Sequence, residues 1–587
     1  MQLAILLKDH RCQPIWVLTV SGSLGFFIGI SRFPTWQVAV EAAQVVAGIV
    51  QYPADNPFYI YQLKLWTVLH QICALLLQAG ISEITLSRLV SGLLGMVSFQ
   101  ALSVLVWAVS RDGLLAIGVP ALILYSRAAE HGAVYPISLM GTDHTYGVLG
   151  LSTVVLVVAL LGAGCVRIGG FLLGMAPALH ASLGAWLGLI VAVCVAWDFK
   201  RLRTEWRPAL PYFVAGGAVT ALSLLIHLAA TGDLSRVDPS VSSRYLAAFV
   251  DAWDGHRRPA AIVSVGTILN VEALLVALIW LNAFAVDLPR PALFVLRAVI
   301  ASAVLSLSVM FLSWLPASAV PPTLLTLMPS RFLNFNVLAF VPLMLGLLGA
   351  YRRSVWSQLV TAALLYGLFA SHRSMVWDAY QGPGWLARII QFNPWHVFVA
   401  ASIGLVGVRM TAAWNQAPAI LVTRAARAMS LALLAVSAVL TWRLPQPYPM
   451  LDRTNDPLYA AVSAQRTGVV LTGGSFHLVQ LYTRRPVLLD GGALDALTYA
   501  PETGPGVERI LREVYQIDFF NPPAEARRSA AIPHRVNKPI WERYSRRKWV
   551  EIGRTFNVTQ VLTRADWSLD LPIAAENPGL KLYRIPE

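Results

Sequence analysis

Apolar residues fill most of the first 445 positions in blocks of about 15 to 25, the length a helix needs to cross a bilayer. These blocks fall at 14–31, 85–110, 113–126, 145–164, 168–180, 183–197, 209–230, 261–285, 292–315, 333–350, 355–370, 392–408 and 428–442. The pattern predicts about thirteen transmembrane helices. The first block follows Lys8, His10 and Arg11, as a signal peptide would, but Arg32-Phe33-Pro34-Thr35-Trp36 offers no small-residue cleavage site. We therefore read it as an uncleaved span. Between positions 57 and 80, Tyr61, Leu65, Val68, Leu69, Ile72, Leu75 and Leu76 recur at helical spacing, interrupted by Lys64, His70 and Gln71. That suits a helix lying in the membrane interface.

After Gln446 the pattern changes. Short β-rich runs at 468–472, 486–490 and 558–563 alternate with helical ones such as 507–515, and no long apolar block remains. Such alternation predicts a small α/β domain with a partly parallel sheet. Pro445-Gln446-Pro447-Tyr448-Pro449 is a natural stiff linker. The fold class is thus an α-helical polytopic membrane domain over 1–445, with an acidic first outer loop at 32–84, followed by a soluble α/β domain over 446–587.

Composition sharpens the division. Of 587 residues, 56% are hydrophobic and 13% charged, with a mean hydropathy of +0.60, which excludes a purely soluble protein. The last 142 residues hold 18 Lys and Arg and 15 Asp and Glu, against 27 and 16 in the first 445. The net charge of +14 places 11 charges in the hydrophobic part, with no dense basic run, so these are membrane-topology charges and nucleic acid is not an expected partner. With the N-terminus cytoplasmic, 15 Lys and Arg face inward and 12 elsewhere before residue 446, while the acids gather on the outer side. An odd number of spans then puts the C-terminal domain outside an integral plasma (bacterial inner) membrane. Four cysteines, Cys12, Cys73, Cys165 and Cys194, match neither a zinc site nor a redox pair.

Ionisable groups at the outer membrane face mark candidate chemistry, because they are costly there unless paired or hydrated. Glu41 stands in an otherwise nearly apolar stretch about ten residues beyond the first span, where a carboxylate of raised proton affinity can act as a general base toward an acceptor hydroxyl; a helix-surface or Arg-paired Glu is the plainer reading. Asp143 and His144 open the span at 145–164; Thr142 or Asp143 would also serve as its N-cap, and His144 can hold a phosphate or sugar hydroxyl. His180 sits where Pro177 and Gly184 split the run 168–197, on the side of His144. Arg331 can grip a phosphate or snorkel to the interface. Lys64 is a second candidate cation for phosphate, Asp55 a further outer-loop acid, and Arg88 a candidate substrate contact that better suits a structural ion pair with an outer-loop acid. Glu272, mid-span beside Asn270, reads as a helix-to-helix contact. No nucleotide phosphate loop, Gly-x-Ser-x-Gly elbow or His-Glu-x-x-His pair occurs.

The order of parts resembles the GT-C superfamily of integral-membrane glycosyltransferases: one span, a long acidic outer loop with an interfacial helix, a second span opening with Ser87-Arg88-Leu89-Val90-Ser91, another outer acid, many spans and an outer α/β tail. The plan is similar to that of protein mannosyltransferases and lipid A aminoarabinose transferases. The resemblance implies a catalytic acid in the first outer loop, where Glu41 occupies the matching place, and a second from the next, matched by Asp143 or Glu130. Arg32-Phe33-Pro34-Thr35 stands where the family often carries an acid at the end of the first span. It further implies transfer of a sugar from a polyprenyl-phosphate-linked donor to a glycan, lipid or protein acceptor, with no other cofactor assigned and a divalent metal left open. A multi-pass transporter or flippase, and a non-catalytic membrane assembly factor for polysaccharide or lipid-linked glycans, are the alternatives.

Overall fold

The computed structural model describes residues 13–126, 139–232, 238–254, 265–284, 290–315, 319, 334–370, 407, 420–443, 455–474, 478–489 and 493–586. The chain is an α-helical polytopic membrane protein with additional short helices and a small sheet. Five described helices are long and apolar enough to cross a membrane: Glu83–Ser110, Thr145–Ala163, Arg207–Thr231, Ala292–Phe311 and Leu421–Arg443. Two bent pairs, Pro57–Lys64 with Val68–Gln78 at 106° and Ala181–Trp197 with Phe199–Glu205 at 112°, bring the number to seven if each is one span. The expected thirteen is thus not reached by length. Most other apolar blocks form shorter helices, among them Gln13–Ser31, Val166–Leu179 and Asn334–Ala350. The block at 392–408 lies outside the described residues.

Packing follows from residue size. Gln13–Ser31 lies against Glu83–Ser110, where the backbone of Gly25 meets that of Gly95 so closely that a Cβ on either would collide with the other's carbonyl. Thr145–Ala163 packs on the same long helix, and Ser98 and Ser152 hydrogen-bond between them at 3.0 Å. The helix Leu210–Thr231 behaves differently, leaving Leu222, Leu225 and Leu228 exposed by 60%, 64% and 54%. So apolar a helix face calls for lipid or protein rather than water.

The C-terminal segment carries a four-stranded mixed sheet in the order β1-β2-β4-β3, with β1 Val469–Thr472, β2 Val558–Arg564, β3 Ile573–Glu576 and β4 Leu580–Arg584. β1 and β2 run parallel; the other two pairings are antiparallel. Helices such as Gly504–Val514 and Arg546–Phe556 cover it, burying Leu511, Trp541 and Trp549. Its core is not built from this segment alone. Phe58 from the first loop and Tyr245, Phe249 and Trp253 from the segment Pro239–Trp253 belong to the same buried cluster. Trp253 is fully buried and its indole N–H donates to the Phe519 carbonyl at 2.8 Å.

Candidate active site

Ser91, on the second long helix, anchors the entry to the first outer loop: its hydroxyl accepts from the Thr35 amide at 3.1 Å and from the Gln37 side-chain amide at 3.0 Å. Gln37 also donates to the Thr142 carbonyl at 2.9 Å and accepts from the Thr145 hydroxyl at 2.7 Å. One side chain thereby ties the first loop to the second at the mouth of the helix Thr145–Ala163. The Val38 amide adds a bond to the Asp143 carbonyl at 3.4 Å.

Glu41 lies one turn into the helix Val38–Val46 and is only 6% exposed. Its charge bears on two buried phenols, Tyr61 on the first-loop helix Pro57–Lys64 and Tyr146 at the start of the helix Thr145–Ala163. Tyr146 is oriented by His70. The Nδ1 of His70 faces the Leu65 carbonyl at 3.1 Å, which can only accept, so the neutral ring carries its proton there and Nε2 accepts from the Tyr146 hydroxyl at 2.6 Å. Thr67 caps the helix Val68–Gln78 and its hydroxyl also donates to the Leu179 carbonyl at 3.1 Å, which joins this helix to the turn at His180.

The C-terminal segment closes the site from above. Gln480 donates to the Glu41 backbone carbonyl at 2.8 Å and accepts from the Tyr52 hydroxyl at 2.7 Å and the Gln62 amide at 3.0 Å. Gln44 donates to Glu83 and to the Leu481 carbonyl, both at 3.2 Å. Arg484 grips both oxygens of Glu83, at 2.7 and 3.0 Å. That pair, with the Glu83 carboxylate beside it, raises the guanidinium's proton affinity further. Asn56 caps the helix Pro57–Lys64 with its oxygen while its amide donates to the Val487 and Leu488 carbonyls.

The remaining candidates divide. Asp143 stands beside the loop tie with its carboxylate 3.8 Å from the half-exposed His144 ring. Neither side chain caps the following helix; the Thr142 hydroxyl instead accepts the His144 amide at 3.1 Å, because the helix begins only at Thr145. His180 caps the helix Ala181–Trp197 through Nδ1 and packs on Gly150, at the same end of the bundle as His144. Lys64 forms an ion pair with Glu502 of the C-terminal segment. Asp55 is exposed in the turn before Asn56. Arg88 is exposed, and Glu83, the acid one and a half turns before it, is held by Arg484. Arg331 and Glu130 lie outside the described residues. Among the described residues no three His, Cys, Asp or Glu side chains gather as metal ligands. Sequence reasoning did not single out Tyr61, Tyr146, His70 or Gln480. Only Tyr146, beside Asp143 and His144, carried a signal of position.

No family model matches the chain, and no curated relative matches it. Among solved structures, the chain is similar to ArnT from Cupriavidus metallidurans in the apo state, with a TM-score of 0.43 and 14% identity, over 97% of each chain. It is also similar to the same enzyme bound to undecaprenyl phosphate, with a TM-score of 0.39 and 13% identity, again over 97% of each.

Proposed function

We propose that the chain is a membrane glycosyltransferase that moves a sugar from a polyprenyl-phosphate-linked donor to an acceptor at the outer face. The observation that carries this reading is the buried carboxylate of Glu41, on a short helix that Gln480 of the C-terminal segment holds by the Glu41 carbonyl and that starts beside Gln37, the tie to the second loop. A carboxylate with little water around it holds a proton more readily than one in solution, which suits a general base.

In this reading the acceptor hydroxyl gives its proton to Glu41 as its oxygen bonds to the anomeric carbon. The bond from that carbon to the phosphate oxygen breaks, and polyprenyl phosphate leaves with the electron pair. A cation near the departing phosphate lowers the barrier. Lys64 takes that role by exchanging Glu502 for the phosphate, with Arg331 as the second candidate. Asp143 and His144, tied to the first loop through Gln37, are placed to hold the acceptor, with His180 at the same end of the bundle. The residues 446–587 then form an extracytoplasmic domain whose short helix Val479–Thr483 closes the site through Gln480 and Leu481.

The test is direct. The full-length protein in detergent, given radiolabelled polyprenyl-phosphate sugars and a total lipid and glycan extract, should transfer label to the extract and release polyprenyl phosphate. Absence of transfer with every donor, from protein shown to be folded, rejects the reading in favour of transport or assembly.

A further inference from the structure

A cleft of about 1100 Å³ lies between the first loop and the C-terminal segment, and Glu41 is not among its lining residues. The charged groups lining it are Arg466, Arg484, Arg485 and Glu83, a net charge of +2. Arg484 is occupied by Glu83. The other two are not matched by a carboxylate among the described residues.

Arg485 is the more telling. Its side chain is nearly sealed from solvent, with the residue 4% exposed, yet its Nη2 reaches only the Thr467 carbonyl at 2.6 Å and the Thr559 hydroxyl at 3.4 Å. Its Nε has no hydrogen-bond partner among the described residues. Burial lowers its proton affinity. A guanidinium so buried in the wall of a cleft, with no carboxylate beside it among the described residues, is costly unless an anion in the cleft neutralises it. Arg466 stands exposed on the turn before β1, at the same cleft.

Position selects the anion. The cleft is also lined by Ser82, Glu83 and Ile84, where the span Glu83–Ser110 begins, so it opens at the membrane boundary. Trp36 and Tyr482 line it too, edge to face at 5.0 Å. Two residues before the lining Ile49, the Ala47 carbonyl accepts from the Gln78 amide at 3.3 Å, and the helix Val68–Gln78 exposes Ile72 and Leu75. Basic groups above an apolar shoulder match an amphiphile whose phosphate sits at the surface.

We propose that this cleft binds the phosphate of an anionic membrane lipid, with Arg485 and Arg466 on its oxygens. The inference does not rest on the transferase reading, since it needs neither Glu41 nor sugar transfer.

Native mass spectrometry of the full-length protein with phosphatidic acid, phosphatidylcholine and inorganic phosphate tests it. Phosphatidic acid should be retained about tenfold better than phosphatidylcholine, and Arg466→Gln or Arg485→Lys should each remove most of that preference. A photoactivatable phosphatidic acid should crosslink within 463–486. Equal retention of the two lipids, or crosslinks only elsewhere, overturns the proposal. Displacement of the lipid by equimolar inorganic phosphate makes this a free-anion site and overturns the lipid assignment. If Arg485→Lys fails to fold, the wild-type crosslinks and the exposed Arg466→Gln decide the matter.

Discussion

The side-chain amide of Gln480 donates to the backbone carbonyl of Glu41 at 2.8 Å, joining positions 439 residues apart. Through the same side chain the Tyr52 hydroxyl and the Gln62 amide converge on one buried oxygen. The helix that carries Glu41 is therefore held from above as well as from the membrane side. Replacing Gln480 with Leu leaves Tyr52, Gln62 and the Glu41 carbonyl without this partner, and each buried group so stranded costs about 1–3 kcal/mol. Thermal denaturation in detergent should show a clear loss of stability, with turnover falling as well. Unchanged stability would mean the contact is solvated.

The Glu83–Arg484 pair has a different character, because Arg484 is 58% exposed while Glu83 is only 12% exposed. Screening by water keeps the coupling modest despite the two-point geometry. A double-mutant cycle with Glu83→Gln and Arg484→Gln should return about 1 kcal/mol of coupling. A value near zero would place the two side chains apart in solution.

The C-terminal segment shares its core with Tyr245, Phe249 and Trp253. Trp253→Ala removes a fully buried indole and its bond to the Phe519 carbonyl, and should cost about 3–5 kcal/mol. Residues 446–587 expressed alone should be soluble and mixed α/β but less stable than within the full chain, and should melt at a higher temperature when a peptide spanning 239–254 is added. No effect of the peptide would make this segment self-sufficient.

Burial first, and then the Glu508 carboxylate that accepts from its hydroxyl, push the Tyr245 phenol up to about 12 from its usual 10. The folded state thus favours the neutral phenol. Its contribution is complete below pH 10, where the unfolded phenol is also neutral, and is lost as pH rises through about 12. Stability of the full-length protein measured from pH 9 upward should decline in that window, and Tyr245→Phe should flatten the decline. An identical slope in the variant would assign it to other groups.

The helices were largely legible because lipid imposes a simple rule: the boundaries of Glu83–Ser110 and Thr145–Ala163, and the break at His180, all lie within a few residues of where apolar runs stop. A partly parallel sheet was expected from the alternation of runs, and β1 does pair with β2 in parallel, although the run at 486–490 contributes only an isolated bridge at Val487. Glu41 was visible as an acid in an apolar stretch. Its surroundings were not, because Gln480 reaches its backbone from 439 residues away and Gln37 ties its helix to the second loop, and no local spacing encodes such meetings. Glu83 illustrates the same limit: its partner is Arg484, 401 residues beyond it, and nothing near either residue in sequence announces the pair.

The central claim is that Glu41 takes the acceptor's proton. Glu41→Gln keeps the side chain's shape and its backbone contact with Gln480 while removing the charge. Turnover of a polyprenyl-phosphate sugar by this variant, measured beside wild type at equal amounts of folded protein, should fall by roughly 10² to 10⁴ with donor binding retained, the usual cost of losing a general base. Turnover within a few-fold of wild type would contradict the account.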